Sequence, residues 1–199
     1  SQKPDIYIAH SPERVLPGKI FSELIENDRV IGGITPQCTD KAIRFYNSFI
    51  SGKCHATSAK TAELIKLSEN AFRDTNIAFA NEISMICESL DVDVWEVIEL
   101  ANMHPRVDIL NPGPGVGGHC IAVDPWFIVD SAPHLTPLIQ SARKVNSNKT
   151  KTIIKKIRAK IRRENIQNIG FLGLSYKANI DDLRESPSLQ IAQTISNKF

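Results

Sequence analysis

The segment from Asn111 to Phe127, NPGPGVGGHCIAVDPWF, sets Cys120 directly behind a run of glycines and places a carboxylate, Asp124, one helical turn further on. A thiol offered from a glycine-rich turn is suited to attack a carbonyl carbon. Glycine permits positive φ and close approach of a substrate to the main chain, and the freed N–H groups can bind anionic oxygens. Taken alone, Cys120 also fits a small buried hydrophobe beside a proline-rich turn. Partners elsewhere in the chain must decide between the two.

Gly113, Gly115 and Gly118 satisfy the spacing G-x-G-x-x-G. A dinucleotide fingerprint needs a preceding strand, a helix opening at the last glycine and an acidic residue about twenty positions later. Here Pro112 and Pro114 interleave the glycines and Pro125 follows, so the match is rejected.

A second set of polar residues lies inside a helical pattern. Lys66 and Asn70 are four residues apart and Arg73 follows three later, so all three share one helix face. Such a face is either a solvated stripe or a cleft wall, where Lys66 and Asn70 would donate to a developing oxyanion and to a substrate carbonyl or hydroxyl. Glu13, in the segment HSPERVLPG, is a further candidate acid or base in a loop after a strand.

The elements that must position these groups follow from pattern. Residues 5–9 and 29–34 read as short strands, and 39–50 as a helix capped by Thr39. Ala59 to Leu90 is one long helical pattern free of Gly and Pro, apolar on more than one face, as expected of a central or interface helix. A shorter helix is expected from Val94 to Met103, then the cysteine loop. From Thr136-Pro137 a helical pattern runs toward Arg163, with a break expected around Asn146-Ser147-Asn148. Residues 168–174 read as a buried strand, and Ser186-Pro187 opens a last helix.

With 199 residues, 42% of them hydrophobic, the chain has apolar material for one core or for a core plus parts of its neighbours. No apolar run is long enough to span a bilayer, so no membrane partner is expected. The net charge of +2 does not indicate an electrostatic partner. The basic run at 149–163 carries Ile153, Ile154, Ile157 and Ile161 at helical spacing, which makes it an amphipathic helix and not a nucleic-acid patch. Cys38, Cys54, Cys87 and Cys120 lack C-x-x-C spacing. Neither a metal site nor a disulfide framework is expected, and a reducing cytoplasm fits best.

The expected fold is α/β overall: a mainly helical central dimerisation domain with remnants of two flanking Rossmann-like α/β domains. The boundaries expected are 1–57 for the end of one α/β domain, 58–163 for the central domain with the cysteine loop, and 164–199 for the start of a second α/β domain. The chain reads as a fragment truncated at both ends.

Four segments, SPERVLPG, AELIKLSENAFRDTNIAFANE, NMHPRVDILNPGPGVGGHCIAVDPWF and GLSYKANIDDLRESPS, in that order and spacing, resemble the nucleotide-sugar 6-dehydrogenases of the UDP-glucose/GDP-mannose dehydrogenase superfamily. The PERVLPG and HPR forms are similar to its UDP-N-acetyl-D-mannosamine dehydrogenase branch. The resemblance implies that 1–57 end an N-terminal NAD-binding domain and 164–199 begin a UDP-sugar-binding domain, and that the reaction is a two-fold, NAD-dependent oxidation of a sugar C6 alcohol to a carboxylate. Cys120 then matches the nucleophile that forms a thiohemiacetal and a thioester. Lys66 matches the group assigned to proton transfer or oxyanion stabilisation, Asn70 and Asp124 those that hold the catalytic water and polar atoms, and Glu13 the glutamate of the hydrolytic half.

The resemblance further implies that Arg14, Val15, Lys66, Asn70, Arg73, His104, Arg106 and Gly117 surround the UDP-sugar, with Tyr176 and Lys177 contacting it from the second nucleotide domain. Arg184 matches an arginine on the NAD phosphates. A homodimer through the long helix, with the HPR segment reaching across it, is implied as well. Position 17 is Pro where UDP-glucose enzymes carry a second glutamate, which favours the N-acetylmannosamine branch. The glycine fingerprint of the NAD domain is absent from these 199 residues, so this chain by itself is expected to be inactive.

Overall fold

The computed structural model describes residues 6–13, 15 and 20–196. Arg14 and Pro17 lie outside these. The chain divides into two compact units, Ser1–Ser68 and Glu69–Phe199.

The first unit holds a three-stranded sheet. β1 (Ala9–His10) pairs antiparallel with β2 (Arg29–Gly33), which pairs parallel with β3 (Cys54–Ser58) in the register Arg29↔Cys54 to Gly33↔Ser58. α1 (Ile20–Glu26) precedes β2, and α2 (Pro36–Tyr46) crosses over from β2 to β3, the connection that parallel pairing requires. The strand expected over 5–9 is displaced: its apolar residues Ile6, Tyr7 and Ile8 are exposed, and the ladder begins at Ala9.

The helix expected from Thr39 begins earlier. Thr35 is its N-cap, accepting from the Cys38 N–H at 3.2 Å, and Pro36 occupies the first turn, where a missing N–H costs nothing. Thr39 lies inside the helix instead. Its buried hydroxyl accepts from Gly33 N–H at 2.9 Å, tying α2 to the end of β2.

The long helix, α3 (Ala59–Ser89), spans the division between the units. In the second unit it is followed by α4 (Val94–Ala101), capped by Asp93, which accepts from Trp95 N–H. The cysteine loop leads into α5 (Asp124–Ser131), a 3-10 turn at Pro133–Leu135, α6 (Pro137–Glu164) and α7 (Pro187–Ser196).

α6 packs on α7 through buried Ile154, Ile191 and Ile195, flanked by Ile153, Ile157, Ile161 and Phe171. This is the isoleucine face that the spacing predicts. α6 runs unbroken through Asn146-Ser147-Asn148. Asparagine disfavours helix interiors when its side chain competes for the local backbone. Here the buried Asn146 donates to the Asp74 carboxylate at 2.8 Å and to the Asp74 carbonyl at 3.0 Å on α3, so the competition is removed.

The strand expected over 168–174 is not formed, and Leu172 is fully exposed. An extended segment becomes a strand only with a partner to satisfy its backbone, and among the described residues the second unit holds no other strand.

Candidate active site

Two successive N–H groups close on one carbonyl at the end of the cysteine loop. The amides of Val123 and Asp124 donate to the Cys120 carbonyl at 3.0 and 2.8 Å, and this turn starts α5. Asp124 and Pro125 suit that first turn, an acid facing the positive end of the helix and a proline needing no N–H partner. The Asp124 carboxylate accepts from the side-chain amide of buried Asn70 at 2.6 Å, within the short range of charge-assisted bonds. Asn70 and Asp124 are thereby linked to the backbone of Cys120, whose thiol is half-buried.

The glycines upstream serve close approach. A side chain on Gly117 would meet Tyr176 Cβ at 2.5 Å and the Glu185 carbonyl at 2.7 Å, and the Gly118 N–H donates to the Arg184 carbonyl at 2.9 Å. The loop and the segment 176–187 are thus laid against each other, bringing Gly117 and Tyr176 together. No strand precedes Gly113 and no helix opens at Gly118, in keeping with the rejected fingerprint.

Arg184 is already engaged. Its Nε donates to both oxygens of Asp182 at 3.0 and 3.1 Å, and its Nη2 adds a bond at 2.6 Å. The hydrogen bonds from Arg184 hold the Asp182 carboxyl down at about 2, with His119 contributing weakly. The same bond holds Arg184 above its ordinary value, with smaller attractions from Tyr176 and Cys120. A guanidinium therefore lies close enough to Cys120 to feel its charge.

In the first unit the Lys66 ammonium donates to the Glu13 carbonyl at 2.9 Å, and the Glu13 carboxylate faces buried Arg29 at 3.4 Å. Val15 is half-buried nearby in sequence. Arg73, His104, Arg106 and Lys177 are exposed, and the Arg106 N–H donates to His104 Nδ1 at 3.3 Å. Among the described residues, the hydrogen bonds of these four do not reach Cys120.

Sequence reasoning missed Asp182, Asn81, Asn146 and Thr150. The asparagines are 0% and 1% exposed, inside helices; a polar residue at an inward helical position was the available sign.

For NAD, the fit is to one flank of a site. At the carboxyl ends of β2 and β3 lies a cavity of about 420 Å³, lined among others by Gly33, Thr35, Thr39, Asp40, Thr57 and Ser58. Dinucleotides bind beyond that edge of an α/β sheet. The glycine turn that would cradle the pyrophosphate is not among the 199 residues. No group of three metal-ligating side chains occurs among the described residues, and none of their helices is long and apolar enough to cross a membrane.

Comparison with known proteins places these features. Residues 1–50 match the NAD binding domain and residues 60–148 the central domain of the UDP-glucose/GDP-mannose dehydrogenase family. The chain is 59% identical to an NDP-N-acetyl-D-galactosaminuronic acid dehydrogenase of Ralstonia nicotianae, over 98% of this chain and 46% of that protein. It is 57% identical to a UDP-N-acetyl-D-mannosamine dehydrogenase of Campylobacter jejuni, over 98% and 48%. The solved UDP-D-ManNAc dehydrogenase of Pyrococcus horikoshii is similar in fold, with a TM-score of 0.88 at 42% identity over 98% of this chain and 48% of that one. The chain spans about half the length of the curated relatives it matches. With two domains of one family matched in order along it, the chain belongs to the UDP-glucose/GDP-mannose dehydrogenase family.

Proposed function

We propose that the complete protein is an NAD-dependent UDP-sugar 6-dehydrogenase that oxidises the C6 alcohol of UDP-N-acetyl-D-mannosamine twice, to the carboxylate, in the cytoplasm. The observation that carries this reading is the 2.6 Å bond from Asn70 to Asp124 beside a half-buried free thiol at Cys120. Residues 1–57, 58–163 and 164–199 would serve as the end of the NAD domain, the central domain and the start of the UDP-sugar domain.

NAD, when bound, supplies the hydride acceptor for each oxidation. After the first, the Cys120 thiolate adds to the C6 aldehyde carbon and its oxygen becomes the alkoxide of a thiohemiacetal. Loss of a second hydride from that carbon leaves a thioester, and water then displaces the thiol to give the acid. Lys66 takes the alcohol proton and opposes each alkoxide charge, Asn70 and Asp124 orient the hydrolytic water, and Glu13 assists that half. Arg14, Val15, Arg73, His104, Arg106, Gly117, Tyr176 and Lys177 contact the UDP-sugar, and Arg184 reaches the NAD phosphates.

The sugar has a specific rival, because the Ralstonia relative is named for an N-acetylgalactosaminuronic acid. Comparing kcat/KM of the complete enzyme for the manno- and galacto-configured UDP-N-acetylhexosamines, UDP-N-acetylglucosamine and UDP-glucose decides it; a preference for any but the first overturns the choice of sugar. Cys120→Ser should bind the substrate yet form little acid, and acid formation at the wild-type rate overturns the thioester route.

A homodimer through α3 is part of the same reading. Phe72, Phe79 and Ile86, seven residues apart, stand 70%, 52% and 44% exposed, a self-complementary apolar row on one helix. Phe79→Glu should shift sedimentation toward the monomer; an unchanged dimer overturns this interface.

A further inference from the structure

The glycine-proline stretch that leads to Cys120 is gripped by side chains of two different helices. Buried Asn81 of α3 accepts from the Gly113 N–H at 2.9 Å. Through its amide it donates to Asn146 Oδ1 of α6, also at 2.9 Å. One residue on, the buried Thr150 hydroxyl of α6 donates to the Pro114 carbonyl at 2.7 Å. Gly115 then takes φ +140°, and a Cβ there would lie 2.5 Å from that hydroxyl, so the loop can approach Thr150 only as glycine.

Asn146 is itself anchored on Asp74, which also holds Arg143 at 2.6 Å. Asn70, Asp74 and Asn81 lie four and seven residues apart on α3, on one inward face. That face therefore holds the loop on both sides of the thiol: Asn81 upstream at Gly113, Asn70 downstream at Asp124.

A cavity of about 410 Å³ borders the part of the loop that follows these glycines, lined among others by Val116, Ala122, Val123, Arg143, Asn146 and Thr150. Where the loop faces this space it lacks the dense contacts that fix a core residue, and directed bonds from Asn81 and Thr150 contribute to its course.

We propose that Asn81 and Thr150 are positioning residues for Cys120: they set the course of the loop and so the place of the thiol against the C6 carbon. A nucleophile displaced by about 1 Å can lose on the order of a hundredfold in rate with substrate binding intact. This rests on the reading of Cys120 as the nucleophile.

The test uses the complete enzyme with Thr150→Val, which keeps shape and removes the donor, Thr150→Ser, which keeps the donor, and Asn81→Leu. Two quantities are read: acid formation, and amide hydrogen exchange resolved to the peptide covering 109–119. In Thr150→Val and Asn81→Leu, kcat should fall by about tenfold or more with KM within about threefold, and exchange should quicken in that peptide and not across α6. Thr150→Ser should stay close to wild type in both.

Unchanged exchange in the peptide, or unchanged kcat, in Thr150→Val overturns the proposal even where Asn81→Leu fails to fold. A fall in Thr150→Val that Thr150→Ser does not restore also overturns it. If the wild-type enzyme forms no acid, the dehydrogenase reading fails, and the exchange readout alone decides whether the two residues hold the loop.

Discussion

The amide of Asn70 and the carboxylate of Asp124 are joined at 2.6 Å, although 54 residues separate them in the chain. Because Asp124 also donates its N–H to the Cys120 carbonyl, this bond relates a fixed point on α3 to the turn that carries the thiol. An amide suits the place: it donates to the carboxylate and adds no charge to a buried position.

Asn70→Asp should turn that relationship into a pH-dependent one. Two carboxylates at hydrogen-bond distance cannot both ionise, so the pair acquires one raised apparent pKa. Below it a shared proton restores the bond; above it the bond is replaced by repulsion. The ratio of variant to wild-type kcat should therefore rise as pH falls, and a ratio flat from pH 5 to pH 9 would show that the bond has no part in turnover.

Lys66→Ala should lower kcat by about a hundredfold with a smaller effect on KM, because an ammonium opposing an alkoxide acts mainly in the transition state. In the structure Lys66 is half-buried and donates to Glu13, unlike a solvated lysine. An alanine variant within twofold of wild type in steady-state kinetics would return this face of α3 to a structural role.

The Asp74–Arg143 pair, buried on both sides at 2.6 Å, should be costly to break and cheap to remove. Asp74→Asn leaves a buried guanidinium without its anion, at about 3–5 kcal/mol. Combining it with Arg143→Met should recover most of that loss in chemical denaturation. No recovery in the double variant would mean that Asp74 acts mainly through its bonds from Asn146.

Asp182 should resist acid. Its folded value of about 2 lies below the ordinary 3.8, so the bond to Arg184 adds stability that is present above pH 3.8 and is lost as pH falls through about 2. Carboxyl-carbon NMR should place the titration of Asp182 below pH 3, and Arg184→Ala should raise it toward the ordinary range but not fully, because the Arg184 N–H still donates to the carboxylate at 3.0 Å. A wild-type midpoint near 4 would disprove the pairing.

What the chain determined by itself is what depends on neighbours in sequence. The Gly- and Pro-free run at 59–89 forms one helix, and isoleucines at 153, 154, 157 and 161 share a packed face, because helical periodicity is a local property. The four quoted segments likewise sufficed to name the family. Local chemistry also misled: Thr39 has a capping side chain, yet Thr35 followed by proline starts the helix. The segment 168–174 has a strand's composition, but a ladder needs a partner that local sequence cannot supply.

Tertiary structure alone decided the links across distance. Asn146 looked like a break in α6 until Asp74 and Asn81 were brought beside it, and buried amides are then held by one another more firmly than by the local backbone. The same burial made Asn81 and Thr150 the supports of the cysteine loop. Their partners are backbone atoms 32 and 36 positions away, and side-chain type and spacing say nothing of which main-chain group will arrive there.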